Sequence, residues 1–123
     1  MIIGVGTDII EIARIEKAIN NTNGFVEKLF TKKELELFKS KNMRAEVIAG
    51  NFAAKEAISK AIGTGVRSFS LKDIEVLRDE LGKPIATLNE NIIKILKVSS
   101  FKLNISISHN NTSAIAFAIL EDM

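Results

Sequence analysis

Asp8, Glu56 and Lys60 are the residues whose types and spacing first offer chemistry. The sequence has no cysteine and one histidine, so thiolate sites and histidine clusters are excluded. A bound metal then has to take oxygen ligands, as Mg²⁺ or Mn²⁺ does. Glu56 and Lys60 are four residues apart. On a helix, at about 100° per residue, they share one strip, with Ser59 and Phe52 beside them. Taken alone, the pair reads as a surface ion pair worth about 0.3–0.5 kcal/mol. Asp8 stands three residues before Glu11 and can cap a following helix. Its same-face neighbours in a strand are Gly4 and Gly6, whose missing side chains leave room for a ligand or for another backbone.

His109 shares the strand parity of Leu103, Ile105 and Ile107, which favours a structural place. Its position at the strand end, before Asn110-Asn111, leaves a ligand role open. The loops Gly63-Thr64-Gly65 and Gly82-Lys83-Pro84 can turn backbone N–H groups toward phosphate, or serve only as turns. Lys32, Lys33, Lys39, Lys41 and Arg44 crowd one stretch, with Arg14 and Lys17 before it. They form either a solvated helix face or a surface for an acidic partner.

The elements that must position these residues follow from periodicity and punctuation. Residues 2–7 read as a strand ending at Asp8, and 11–20 as a helix on Ile12, Ile15 and Ile19. Thr31 with Glu34 is a capping box that opens a helix before Leu35 and Phe38. Residues 43–62 form the longest helix, closed by Gly63. Its stripe of Val47, Gly50, Ala54, Ala57, Ile58 and Ala61 is small enough for another element to approach closely, and Glu56 and Lys60 face away from it. Strands are expected at 72–79 and 84–88, a short helix at 90–97, and a hairpin of 102–108 with 112–120 across Asn110-Asn111. Without a βαβ rhythm the class is α+β, a largely antiparallel sheet packed with a long central helix.

Composition sets the outer limits. At 123 residues, 46% hydrophobic and 26% charged, the chain fits one globular domain, 1–123. No stretch has the roughly 18 apolar residues of a membrane span. The apolar N-terminus has no basic lead or cleavage pattern, so a cytoplasmic protein is expected. A net charge of +2 gives no nucleic-acid footprint, and with no Trp or Tyr the seven Phe show no stacking pattern for RNA.

Together the pieces resemble the holo-acyl carrier protein synthase family, the small bacterial phosphopantetheinyl transferases. Gly6-Thr7-Asp8 matches a Gly-x-Asp motif, and Phe52-Ala53-Ala54-Lys55-Glu56-Ala57-Ile58-Ser59-Lys60 matches an aromatic residue followed by x-x-Lys-Glu-Ala/Ser-x-x-Lys. Both loops and Ile107-Ser108-His109 follow in order, and the likeness runs from residue 2 to about 120. One departure is Asn51, where small members often carry a basic residue that contacts the 3′-phosphate of coenzyme A. Arg44 or a nearby lysine is then expected to supply that contact.

The resemblance implies transfer of 4′-phosphopantetheine from coenzyme A to a serine of acyl carrier protein, with Mg²⁺ on Asp8 and Glu56. Lys60 would stabilise the leaving phosphate. The serine proton would go to Glu56 or to a water on the metal. Coenzyme A contacts are expected from Arg44, Ser59, Lys60, Gly63, Gly65, Lys83, Pro84 and His109, and docking of the acidic carrier protein from Arg14 and Lys17. The resemblance further implies a homotrimer. Asp8, Glu56 and Lys60 would come from one protomer, with the Gly82-Lys83-Pro84 loop and His109 reaching in from a neighbour. Two other readings compete: an unrelated Mg²⁺ phosphohydrolase, and a small basic module that docks on an acidic protein.

Overall fold

The computed structural model of the chain describes residues 1–63 and 69–123. In chain order the elements are β1 (Ile2–Glu11), α1 (Ile12–Asn21), α2 (Phe25–Leu29), α3 (Lys32–Ser40), α4 (Ala45–Ile62), a 3₁₀ turn (Leu71–Asp73), β2 (Ile74–Arg78), β3 (Pro84–Leu88), α5 (Glu90–Leu96), β4 (Phe101–His109) and β5 (Ser113–Asp122). The class is α+β. One antiparallel sheet has the order β1-β5-β4, and β2 and β3 form a separate antiparallel hairpin.

α4 lies across the three-stranded sheet, and tiny residues let it come close. A Cβ at Gly4 would overlap the carbonyl oxygen of Ala61, and one at Gly6 that of Ala57. The space beside Asp8 is therefore filled by the backbone of α4, which excludes a ligand at the two glycines. Ala53, Ala54, Ala57, Ile58 and Ala61 from α4 meet Ala116, Ala118 and Leu120 of β5 in the main core. A second core gathers Ile12, Ile15, Phe30, Phe38 and Ile48 beneath α1 and α3. Burial of these side chains, at roughly 1.5–3 kcal/mol for each Ile, Leu or Phe and less for each Ala, is the main force holding the helices on the sheet.

Local signals account for most boundaries. The Thr31 hydroxyl accepts from the Glu34 N–H at 3.2 Å, and the Glu34 carboxylate accepts from the Thr31 N–H at 3.0 Å, completing the capping box. Gly63, at φ +89°, ends α4. Two expectations need correction, and one element was not expected. β1 continues through Asp8 to Glu11, with Asp8 opposite Ala116, so Asp8 is a mid-strand residue and caps no helix. The expected strand from residue 72 starts only at Ile74, because Ser70 and Asp73 close a 3₁₀ turn ahead of it. The five-residue α2 went unforeseen, being too short to show a period.

Candidate functional site

Asp8, Glu56 and Lys60 converge where β1 meets the C-terminal half of α4. Gly4 and Gly6 draw the helix onto the strand, and Asp8, next on the same face, projects just past the contact. The Lys60 ammonium donates to the Thr7 carbonyl at 2.8 Å and lies 3.5 Å from Asp8 Oδ1. Lys60 is 58% exposed and Asp8 18%. Burial raises the Asp8 carboxyl above its ordinary pKa, while Lys60 pulls it back. Burial likewise raises Glu56, and the charge of Asp8 raises it further against the pull of Lys60. Two carboxylates that repel, with a single lysine between them, form a place that favours a cation. Among the described residues no three His, Cys, Asp or Glu side chains converge.

Other expected contacts gather elsewhere. A cleft of about 530 Å³ is lined by Lys41, Arg44, Gly50, Arg78, Gly82, Pro84 and His109, among others. Arg44 stands at the N-terminus of α4, and His109 ends β4 and is exposed. Asp8, Glu56 and Lys60 do not line this cleft. Lys83 turns to a smaller recess of about 250 Å³ with Pro84, Lys102 and Asn104. Arg14 and Lys17 lie exposed on α1.

Several expected contacts do not hold as read. Ser59 was placed on the strip of Glu56 and Lys60; instead it is buried, and its hydroxyl donates to the Lys55 carbonyl at 2.9 Å. The helical row Asn51-Lys55-Ser59 forms a second buried side of α4. The Gly63 N–H donates to the Ser59 carbonyl, which leaves it unable to serve phosphate. Gly65 lies outside the described residues. In the β2–β3 turn the N–H groups of Leu81 and Lys83 donate to Asp79 Oδ1, and that of Gly82 to the Asp79 carbonyl. Those amides are occupied, so the loop offers the cleft the surfaces of Gly82 and Pro84 rather than a row of N–H donors. Asn51 is fully buried and faces the protein interior, away from any ligand.

Three residues of consequence escaped the sequence reading. Arg78 lines the cleft and is half-buried; its side chain donates to the neighbouring Leu77 carbonyl, and burial lowers its pKa. Nothing in its strand pattern singled it out. Glu34 and Lys55 form a fully buried ion pair at 2.6 Å. The capping box already explained Glu34, and a polar residue two before Ala57 gave no sign of burial.

Comparison with known proteins identifies the family. The holo-[acyl-carrier-protein] synthase of Clostridium beijerinckii is 60% identical over 121 residues, 98% of each chain. The crystal structure of a holo-(acyl-carrier-protein) synthase from Bacillus anthracis strain Ames, in complex with CoA (3′,5′-ADP), is 40% identical with a TM-score of 0.85, covering 100% of this chain and 99% of that one. The corresponding Neisseria meningitidis structure has a TM-score of 0.87 at 33% identity, covering 99% of this chain and all of that one. The family model described as the 4′-phosphopantetheinyl transferase superfamily matches residues 4–118, and the chain belongs to that family.

Proposed function

We propose that this chain is a cytoplasmic enzyme that transfers the 4′-phosphopantetheine group from coenzyme A to a serine of apo-acyl carrier protein, releasing adenosine 3′,5′-bisphosphate. The observation that carries the reading is the convergence of Asp8, Glu56 and Lys60 at one seam, in a chain that belongs to the transferase family. The serine hydroxyl attacks the phosphorus on the pantetheine side of the pyrophosphate. A new phosphoester forms, the bond to the bisphosphate breaks, and the hydroxyl proton passes to a base.

Two hard, mutually repelling carboxylates fit Mg²⁺, which takes one or two such ligands and completes its shell with water and substrate phosphate. Bound between Asp8 and Glu56, the ion would offset charge on the pyrophosphate and on the departing phosphate. Lys60 brings its ammonium to the same seam and stabilises the leaving group. Glu56, at the same seam, would be placed to accept the serine proton.

Arg44, Arg78 and His109 make the 530 Å³ cleft the place for the nucleotide end of coenzyme A. Cleft and seam share no lining residue, so we take the working site to join the seam of one protomer to the cleft of another in a homotrimer. The outer face of the three-stranded sheet supports assembly: Val5, Ile9, Ile115 and Phe117 stand side by side, 40–66% exposed. An apolar face of that kind calls for a protein cover. Arg14 and Lys17, exposed on α1, suit an acidic carrier protein.

The deciding experiment is mass spectrometry of apo-carrier protein incubated with the chain, coenzyme A and Mg²⁺. One added phosphopantetheine on the carrier is expected. Cleavage of coenzyme A with no gain in carrier mass would replace transfer with hydrolysis.

A further inference from the structure

The buried polar group centred on Glu34 takes no part in the chemistry above, and its geometry is unusually complete. Glu34 Oε1 accepts from the Thr31 N–H at 3.0 Å and from Lys55 Nζ at 2.6 Å. Glu34 Oε2 accepts from Asn51 Nδ2 at 3.2 Å and from the Val76 N–H at 3.0 Å. Lys55 fills its other two positions with the carbonyls of Leu29 at 2.8 Å and Leu71 at 3.1 Å, and its ammonium lies 4.7 Å from the centre of the Phe30 ring. Asn51 Nδ2 also donates to the Val76 carbonyl at 2.8 Å.

Val76 faces Ala86 within the β2–β3 hairpin, yet its own N–H and C=O point the other way. Glu34 and Asn51 supply the acceptor and the donor that a further strand would have supplied. They thereby bind the open edge of β2 to α3 and α4. Two positions beyond Val76 stands Arg78 in the wall of the cleft, and the residue after Lys55 is Glu56. One carboxylate thus ties together the two elements that carry Arg78 and Glu56.

A need for such a pin follows from the rest of α4. Its sheet-facing side is built from alanines over glycines, which permits close approach but offers shallow ridges against rotation. A rotation of about 20° would carry a carboxylate ~6 Å from the helix axis through about 2 Å, enough to spoil a two-carboxylate seat. A buried ion pair is a poor source of stability, and Asn51 Oδ1 stays buried without a partner. The group is therefore better explained by orientation than by stability.

We propose that Glu34 is a positioning residue, which through Lys55 and Asn51 fixes the rotation of α4 and the place of the β2–β3 hairpin so that Glu56 and Arg78 are correctly set. The inference rests on the proposed transferase function. It is tested on the full chain in its assembled state, with Mn²⁺ as the metal probe.

Glu34→Gln leaves a buried ammonium without its counter-ion and can unfold the protein. The main variant is therefore Glu34→Met/Lys55→Met, which replaces the pair with apolar side chains of similar length. It is expected to fold with a lowered melting temperature, because the N–H groups of Thr31 and Val76 and the carbonyls of Leu29 and Leu71 lose their partners. KM for carrier protein should be unchanged, while kcat of the folded protein falls about 10–100-fold, the usual loss when an outer support of a metal site is removed. Mn²⁺ binding, read by electron paramagnetic resonance in the presence of coenzyme A, should weaken by a similar factor. Asn51→Leu keeps the ion pair and the bond from the Val76 N–H to Glu34, and removes one of the two ties on the hairpin, the bond to the Val76 carbonyl; it should raise KM for coenzyme A more than KM for carrier protein. A folded double variant with kcat and Mn²⁺ affinity within about twofold of wild type would overturn the proposal. So would a loss of activity that merely tracks the folded fraction. If the double variant does not fold, Asn51→Leu decides alone, and equal changes in both KM values count against positioning. A wild-type chain that transfers nothing would instead sink the proposed function, leaving the Mn²⁺ titrations to judge the pin.

Discussion

α4 supplies a lysine to each of two carboxylate–lysine groupings, and they differ in almost every physical respect. Lys55 with Glu34 is wholly buried; all three ammonium positions and four acceptor positions of the carboxylate are in use. Lys60 with Asp8 and Glu56 is open, its ion pair with Asp8 is long at 3.5 Å, and both carboxyls have pKa values raised by burial. One grouping has nothing left to bind. The other holds negative charge in a place that disfavours it, which is how a site for a cation and a polyphosphate looks before they arrive. The lesson is that adjacent charged residues on one helix are told apart by how far their hydrogen-bonding capacity is met.

The strongest way to break the comparison is to remove the open carboxylates. Asp8→Ala and Glu56→Ala should each lower transfer by at least about 10²–10³-fold, while far-UV circular dichroism stays native. Near-normal activity in either variant would take that residue out of the site.

Next in size is a contrast between the two lysines in thermal melts. Lys55→Ala leaves the Glu34 carboxylate buried without its ion pair and should cost about 3–5 kcal/mol of stability. Lys60→Ala should leave stability nearly unchanged, because its side chain is 58% exposed, but should lower kcat markedly. Similar melting losses in both variants would erase the distinction between a structural and a chemical lysine.

Much of this was legible in the sequence, for reasons of locality. The capping box, the Gly63 stop and the Asn110-Asn111 hairpin depend on residues within a few positions of one another, and each stands where expected. The Asp8–Glu56–Lys60 grouping was reached through two short motifs, and the fold brings it together. What escaped notice depends on tertiary partners. A helical wheel gives α4 one apolar side, but the Asn51-Lys55-Ser59 row is a second buried side because α3 and β2 cover it. The Gly82-Lys83-Pro84 loop can be read from sequence either as a phosphate-facing loop or as a plain turn, and the Asp79 side chain that occupies the Leu81 and Lys83 N–H groups is visible only in the folded turn. Arg78 enters the cleft only because the hairpin lies beside the N-terminal half of α4.

The smallest effect expected is also the most diagnostic of an open site, since it concerns stability without turnover. Asp8 and Glu56 have folded-state pKa values raised above their ordinary ones. A group raised in this way favours the folded state fully below its unfolded pKa, and that contribution is lost as pH rises through the folded pKa. At neutral pH both carboxylates therefore weigh against folding in the metal-free protein. Asp8→Asn should then melt a few degrees higher than wild type at pH 7, about 2–5 °C for a chain of this size, and the gain should vanish in the acid carboxylate range. Mg²⁺ should reverse the order: by binding only the folded state it raises the wild-type melting temperature by mass action and does little for the variant. The buried grouping predicts the opposite sign, because any neutral substitute at Glu34 breaks a satisfied pair. If Asp8→Asn is less stable than wild type at pH 7 without metal, Asp8 is a structural partner of Lys60. The difference between the two groupings would then be one of exposure alone.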